Sequence, residues 1–392
     1  MMMIKKITEA FNFVNPKLTR VFLPFILKNS KYLKNAKKIL DKFEQCEKTR
    51  AKIHQEEAVM VPPILILSIT HKCNLKCLGC FASAVGISSN NQSKFNQKGL
   101  RVDEWERIIT QARELGVFTF LIAGGEPFVF NGLLDLCEKF DDSIFLIFSN
   151  GTALKEADYK RLKKTSNTGI MVSVEGSDQM TDMRRGKGIH KTAVQTAKRL
   201  GKLGILSGIS VTITRENYQY WMQEENLDDY IREGLHMGFF TEYIPVGSDV
   251  NTTIKKDTVC STSNQAISSQ QCLTKEQRLK FRKQILYYKE NKQMFIIHSP
   301  GDEEMFGGCV SSGKGFAHIN AFGDLTPCPV SDIATHNMRR TDLKAGLSSE
   351  LFIQLRETGH ILENSDGPCA LFEHQEELEK LRKSLGAYKT GV

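Results

Sequence analysis

The sequence predicts an α/β fold: a partial (β/α)6 TIM-like barrel, preceded by a helical N-terminal segment and followed by a small cysteine-containing domain. Three observations carry this. Six short apolar runs beyond residue 60 are each joined to the next by a loop or a stretch of helical period, and repeated strand-then-helix units imply a parallel sheet. Ahead of Val61-Pro62-Pro63 the chain is basic and amphipathic instead. Beyond Gly301 it turns Gly-rich, with spaced cysteines. The boundaries read as 1–60, 61–300 and 301–392.

The 392 residues suffice for a large domain and a smaller one, and 41% hydrophobic with 25% charged residues is the balance of a globular protein. The net charge of +8 is concentrated at one end. Residues 1–57 hold 13 Lys and Arg against 6 Asp and Glu, whereas the remainder is nearly balanced at 40 against 39. Over residues 4–57, Phe11, Phe13, Val14, Leu18, Val21, Phe22, Phe25, Ile26 and Leu33 alternate with Lys17, Arg20, Lys28, Lys31 and Lys34. Two placements fit this amphipathic pattern. The apolar stripe packs on the next domain with its lysines in water, or the segment lies on an anionic membrane surface with Phe22, Leu23, Phe25 and Ile26 inserted. No motif for reading nucleic acid is present.

The barrel elements follow in order. Ile64–Thr70 is a strand that runs into a cysteine loop, and Val102–Leu115 is helical. Val117–Ala123 is a strand ending in Gly124-Gly125-Glu126-Pro127, then Leu133–Phe140 is helical. Ile144–Phe148 is a strand ending at Ser149-Asn150-Gly151, followed by a helix over Leu154–Thr165. Ile170–Val174 is the fourth strand and Lys191–Leu203 a helix. Ile205–Ile213 is the fifth strand, Asn217–Met237 contains a helix, and Phe239–Val246 is the sixth strand. Residues 248–273, rich in Ser, Thr, Asn and Gln, read as an exposed loop or lid, and Lys275–Lys289 returns to helix. Helices over 349–357 and 371–385 close the chain.

Ten cysteines, at 46, 73, 77, 80, 137, 260, 272, 309, 328 and 369, would suit disulfides in a short secreted chain. Here the apolar run Val21–Leu27 is too short and too Pro-broken for a signal peptide. No window reaches the length of a spanning helix. The expected compartment is the cytoplasm, with reduced thiols free for metal and with peripheral membrane attachment as the alternative for residues 1–57.

Cys73, Cys77 and Cys80 stand directly after the first strand, spaced x3 and x2. Three thiolates within eight residues can reach three corners of one iron–sulfur cube, leaving the fourth iron without a protein ligand. An open metal position is a substrate site. Structural zinc sites instead pair two Cys-x2-Cys units, and no second such unit occurs.

This Cys-x3-Cys-x2-Cys loop resembles the signature of the radical S-adenosylmethionine (SAM) superfamily, and the likeness continues through about residue 250. The resemblance implies that a 4Fe–4S cluster on Cys73, Cys77 and Cys80 reductively cleaves SAM to a 5′-deoxyadenosyl radical, fed by an electron donor such as flavodoxin or ferredoxin. Gly124-Gly125-Glu126-Pro127 is similar to the family's GGEP element, implied to hold the SAM amino group. By the same resemblance Asn150 ends the third strand at the site, and Ser173, with Glu175 after it, falls where the ribose is contacted. Arg185, or its neighbour Arg184, is implied near the SAM carboxylate, and Val211 against adenine. Many family members carry an aromatic residue just before the third cysteine. Here Gly79 holds that place, and Phe81 follows the cysteine.

Residues 301–392 carry Cys309, Cys328 and Cys369 and resemble the SPASM/Twitch extension of the same family, which implies one auxiliary 4Fe–4S cluster. Its fourth ligand is left among His318, His336, Cys260, Cys272 and an open iron, while Cys46 and Cys137 read as packing residues. Relatives with such an extension imply hydrogen abstraction from a peptide or protein substrate. A lipid or other membrane-held substrate is the alternative, and a non-catalytic redox or scaffold protein the third reading. No cobalamin-binding domain is recognisable.

Overall fold

The computed structural model describes residues 16–84, 98–245, 271–363 and 367–390. Helices α1 (Pro16–Lys28) and α2 (Ser30–Glu57) precede the sheet. Then come β1 (Ile64–Thr70), α3 (Val102–Glu114), β2 (Thr119–Gly124), α4 (Leu133–Lys139), β3 (Ile144–Ser149), α5 (Glu156–Leu162) and β4 (Thr168–Ser173). The series continues with α6 (Asp178–Arg185), α7 (Ile189–Lys202), β5 (Ser207–Ile213), α8 (Glu224–Arg232), β6 (Met237–Glu242), α9 (Lys275–Asn291) and β7 (Phe295–Ser299). Strands β1 to β7 pair consecutively and in parallel. The seventh strand adds to the six expected. It follows α9 and lies along β6, with Gly238 opposite Ile296.

The C-terminal region joins the same sheet. β8 (Phe316–Ile319) runs parallel to β1 on its free side, with Leu67 opposite Ile319. β9 (Asp324–Thr326) then pairs antiparallel to β8, and β11 (His336–Asn337) to β9. The result is one open ten-stranded sheet, ordered β11-β9-β8-β1-β2-β3-β4-β5-β6-β7. A separate two-stranded ribbon pairs β10 (Ile333–Ala334) with β12 (Tyr388–Lys389). Helices α10 (Leu343–Leu347), α11 (Glu350–Glu357) and α12 (Gln375–Ser384) complete the chain.

Side-chain alternation sorts the strands into two faces. Leu146, Met171 and Met237 point inward and pack with Phe148 and Phe239. Their neighbours Phe145, Ile147, Ile170, Val172, Ile209, Val211 and Phe240 point outward into the main core. That core is lined by helix faces of period three to four, such as Trp105, Ile108, Ile109 and Ala112 of α3.

Helices α1 and α2 lie under the barrel, at the N-terminal ends of the strands. Their polar side chains reach the backbone just ahead of one strand after another. Arg50 donates to Gly116 O before β2, Asn35 to Asp141 O before β3 (2.9 Å), and Lys31 to Leu162 O before β4 (3.0 Å). Tyr32 Oη accepts from Leu206 N–H before β5 (2.7 Å), and Arg20 donates to Lys292 O before β7 (2.9 Å). Phe25 is buried, 4.5 Å from the His236 ring, and Phe22 packs 5.9 Å from Phe295. The first placement therefore describes these helices. Phe25 is not free to insert into a membrane, because the barrel floor covers it, and Phe22 is half-buried against the same floor. Among the described residues no helix is long and apolar enough to cross a membrane. Residues 4–15, most of the expected lid at 248–273, and Cys260 lie outside the described residues.

Candidate functional site

The cysteine loop leaves the C-terminal end of β1, where a parallel barrel presents its reactive groups. Cys73, Cys77 and Cys80 are all free and half-buried. The loop is held from two sides. On one side the GG element of β2 presses against it: Gly125 N–H donates to Thr70 O (2.7 Å) and Glu126 N–H to Lys72 O (2.9 Å). A Cβ on Gly125 would lie 2.1 Å from Lys72 O, and one on Gly124 2.5 Å from Thr70 O. Two glycines are thus required by the cysteine loop itself, before any ligand approaches.

On the other side stands α6. Leu78 N–H donates to Arg184 O (2.8 Å), and the Arg184 guanidinium returns bonds to Leu78 O (3.2 Å) and Gly79 O (3.4 Å). Arg184 and Arg185 both pair with Glu175, which is buried at the end of β4. Glu175 also accepts from Thr212 N–H (3.3 Å). Arg185 faces the thiols more directly. Burial works against its charge, yet Glu175, Cys77 and Cys80 outweigh this and hold its pKa above the ordinary value. Burial pushes the Cys73 thiol up to about 11 and raises Cys77 too, although Arg185 opposes the latter. Such thiols release protons when iron binds. Three thiols of this kind, beside a guanidinium and leaving a cube corner free, fit a 4Fe–4S cluster with SAM on the open iron.

Glu126 turns inward. Its carboxylate accepts from Phe128 N–H (3.1 Å), Ser149 Oγ–H (2.8 Å) and Asn150 N–H (2.8 Å). Burial raises its pKa while those bonds hold it back. Asn150 in turn donates from Nδ2 to Asn74 Oδ1 (2.8 Å), inside the cysteine loop. The carboxylate thus ties β2, β3 and the loop together, and the Gly125 and Glu126 amides are already used. Ser173 stands half-buried on the inward face at the end of β4, and Phe81 begins a helical turn directly after the third cysteine. Val211 departs from expectation. It sits on the helix-facing side of β5, in the core with Trp221 and Phe240. Strand alternation turns Ser210 and Thr212 inward instead, which removes Val211 from the residues lining the barrel mouth.

One aromatic was missed. Gly79 has φ +61°, and a Cβ there would lie 2.9 Å from the ring of Tyr243. Tyr243, just after β6, fills the place where an aromatic at position 79 would sit. The only sequence signal was the exchange at Gly79.

The second cysteine set also converges. Burial raises all three thiols, and on top of it Cys369 and Cys309 raise Cys328 and Cys369 raises Cys309, which places the three close together. Of the fourth-ligand candidates, His318 is committed to Ser68 Oγ and Thr326 Oγ1, both at 2.8 Å. His336 bonds Thr335 Oγ1 through Nδ1. Cys272 lies beside Tyr243 O, 3.9 Å away, on the side of the first cysteine loop. Glu303, which the sequence reading passed over, touches Cys309 and lines one cavity with Cys309 and Cys369. Cys309 and Cys369 on one cavity, with the buried Cys328 within electrostatic reach of both, fit an iron–sulfur group.

Comparison with known proteins agrees with this geometry. Residues 67–228 match the family model described as the radical SAM superfamily. The chain is similar to Fe-coproporphyrin III synthase of Methanosarcina barkeri, 28% identical over 40% of this chain and 38% of the relative. It is also similar to the sporulation killing factor maturation protein SkfB of Bacillus subtilis, 26% identical over 46% and 41%. A third relative is the mycofactocin maturase MftC of Mycolicibacterium smegmatis, 27% identical over 41% and 40%. The chain spans about two fifths of the length of these relatives. Among solved structures, Streptococcus suis SuiB bound to S-adenosylmethionine superposes with a TM-score of 0.61 at 18% identity, over 85% of this chain and 74% of that one.

Proposed function

Residues 67–228 form a radical SAM domain, the domain of a family of SAM-dependent iron–sulfur enzymes, and on that premise we propose that Cys73, Cys77 and Cys80 hold the 4Fe–4S cluster at which SAM is cleaved. The observation that carries the assignment is the cysteine loop itself: three half-buried thiols at the end of β1, clamped between the glycines of β2 and the arginines of α6. Cys73, Cys77 and Cys80 would hold the cluster, which when bound would supply the one-electron reduction that cleaves SAM and so the means to take a hydrogen from the substrate.

The chain's own part is binding, orientation and exclusion of water. Arg185 favours the thiolate state and offers a cation toward a SAM carboxylate. Ser173 and Asn150 are placed for the ribose, and Phe81 with Tyr243 for the adenine face. Glu126 acts by holding Asn150 and the cysteine loop in place. Cys309, Cys328 and Cys369 are proposed to hold an auxiliary cluster. A one-electron donor such as flavodoxin or ferredoxin would reduce the first cluster.

The proposed substrate is a peptide. Relatives that match part of this chain are named as a killing-factor maturation protein, a mycofactocin maturase and a PqqA peptide cyclase. The packing of Phe22 and Phe25 on the barrel floor weakens the case for a membrane-held substrate.

Anaerobic reduction with dithionite in the presence of SAM should yield 5′-deoxyadenosine, detected by mass spectrometry. Cys77→Ala should abolish that product while leaving the far-UV circular dichroism unchanged. Full activity in this variant would overturn the assignment. Hydrogen loss from a candidate precursor peptide would support the peptide reading.

A further inference from the structure

The second cysteine set supplies three thiolates, and a cube has four irons. A carboxylate stands beside this cysteine set. Glu303 lies in the helical turn Gly301–Phe306 that follows β7. Its carboxylate accepts from Ser299 Oγ–H (3.3 Å), and also meets Val310 N–H and the Cys309 thiol. It shares one cavity with Cys309 and Cys369. A carboxylate drawn below the surface needs a cation, yet among the described residues no Lys or Arg pairs with Glu303. Arg282 lines the same cavity, but its guanidinium is engaged by Glu304 and Glu242. The other described candidates point elsewhere: His318 is saturated by Ser68 and Thr326, and Cys272 belongs to the neighbourhood of Tyr243.

We propose that Glu303 is the fourth ligand of the second iron–sulfur site, one carboxylate oxygen binding the iron that Cys309, Cys328 and Cys369 leave open. This rests on the reading that those three cysteines hold a 4Fe–4S cluster. An oxygen donor in place of a thiolate makes one iron unlike the other three. Ligand identity is also one of the levers that set a cluster's potential.

The test uses the full chain with Cys73, Cys77 and Cys80 all replaced by Ala, reconstituted anaerobically with iron and sulfide. Iron content and Mössbauer spectra are read with a redox titration. Roughly four irons per chain are expected, one of them spectroscopically distinct. Glu303→Cys should make the four alike and move the midpoint potential to more negative values. Glu303→Ala should leave the fourth iron prone to loss on mild oxidation. Should Glu303→Ala lose all its iron, retention by Glu303→Cys still supports the ligand role, and failure to retain it overturns that role. No iron in the triple-cysteine variant overturns the cluster reading beneath the proposal. Iron retained, with spectra unmoved by any change at Glu303, overturns the Glu303 assignment alone. In that case a spectral change on Cys260→Ala would move the ligand to that residue.

Discussion

Glu175 carries more of the candidate site than its place in the sequence suggests. It is 2% exposed and faces two guanidiniums; that of Arg184 holds the backbone of Leu78 and Gly79, and both stand near Cys77. Its carbonyl also accepts from Asn217 Nδ2 (2.8 Å) and the Trp221 indole (3.1 Å). Replacing a buried charge so paired leaves its partners uncompensated, which costs about 3–5 kcal/mol. Glu175→Gln should therefore lower stability by about that much in urea titration, and weaken iron retention on the first cysteine loop. A midpoint unchanged from the parent would show that Arg184 and Arg185 find other partners. At this scale the sequence was read unevenly. The cysteines and glycines stood out because their residue types are scarce and their spacing is tight. Glu303 and Tyr243 did not, because a lone carboxylate and a lone tyrosine acquire meaning only when folding brings them beside Cys309 and Gly79. Val211 was misplaced because an apolar residue in an apolar strand does not announce which face it takes.

The elements were more legible. β1 to β6 were found as apolar runs, since a strand covered on both faces has nothing polar to hide. Their limits moved by a few residues: the fifth strand begins at Ser207 and not Ile205, and the sixth at Met237 and not Phe239. β7 escaped because Phe295–Ser299 is only five residues long and follows a helix directly. β8 and β9 escaped because their glycine-rich surroundings read as turns, and only the pairing with β1 makes them strands. For the N-terminal helices the pattern allowed two placements, and contacts with the barrel floor decide between them. A consequence can be measured. Phe25 is 5% exposed between Tyr32 and His236, and truncating a buried Phe costs about 3–5 kcal/mol. Phe25→Ala should lower the unfolding free energy by about that amount without changing sedimentation with anionic liposomes. A loss of liposome binding with unaltered stability would restore the membrane placement.

On the scale of the whole molecule, the barrel and the C-terminal region are joined through His318. This residue is fully buried on β8 and bridges Ser68 of β1 to Thr326 of β9. Burial drives its pKa down to about 3 from 6.5. The unfolded chain therefore takes up a proton below about pH 6.5 that the native state refuses. Stability must fall as the pH drops from there toward 3. The loss is roughly 3 kcal/mol by pH 4, at about 1.4 kcal/mol per unit. His318→Gln should flatten that part of the stability–pH profile measured by denaturant unfolding. An identical slope in the variant would place the acid sensitivity elsewhere.

The pairing of β8 with β1 also sets an order of assembly. Ser68 and His318 are 250 residues apart in the chain. At about 5–20 residues per second on the ribosome, the strand that ends in the first cysteine loop waits roughly 10–50 s for its second neighbour. Throughout that interval one edge of β1 is open to any passing strand. Nascent chains stalled before residue 316 would carry the cysteine loop at the end of a strand paired on one side alone. The strand that carries the first cysteine loop thereby gains its second neighbour only near the end of translation.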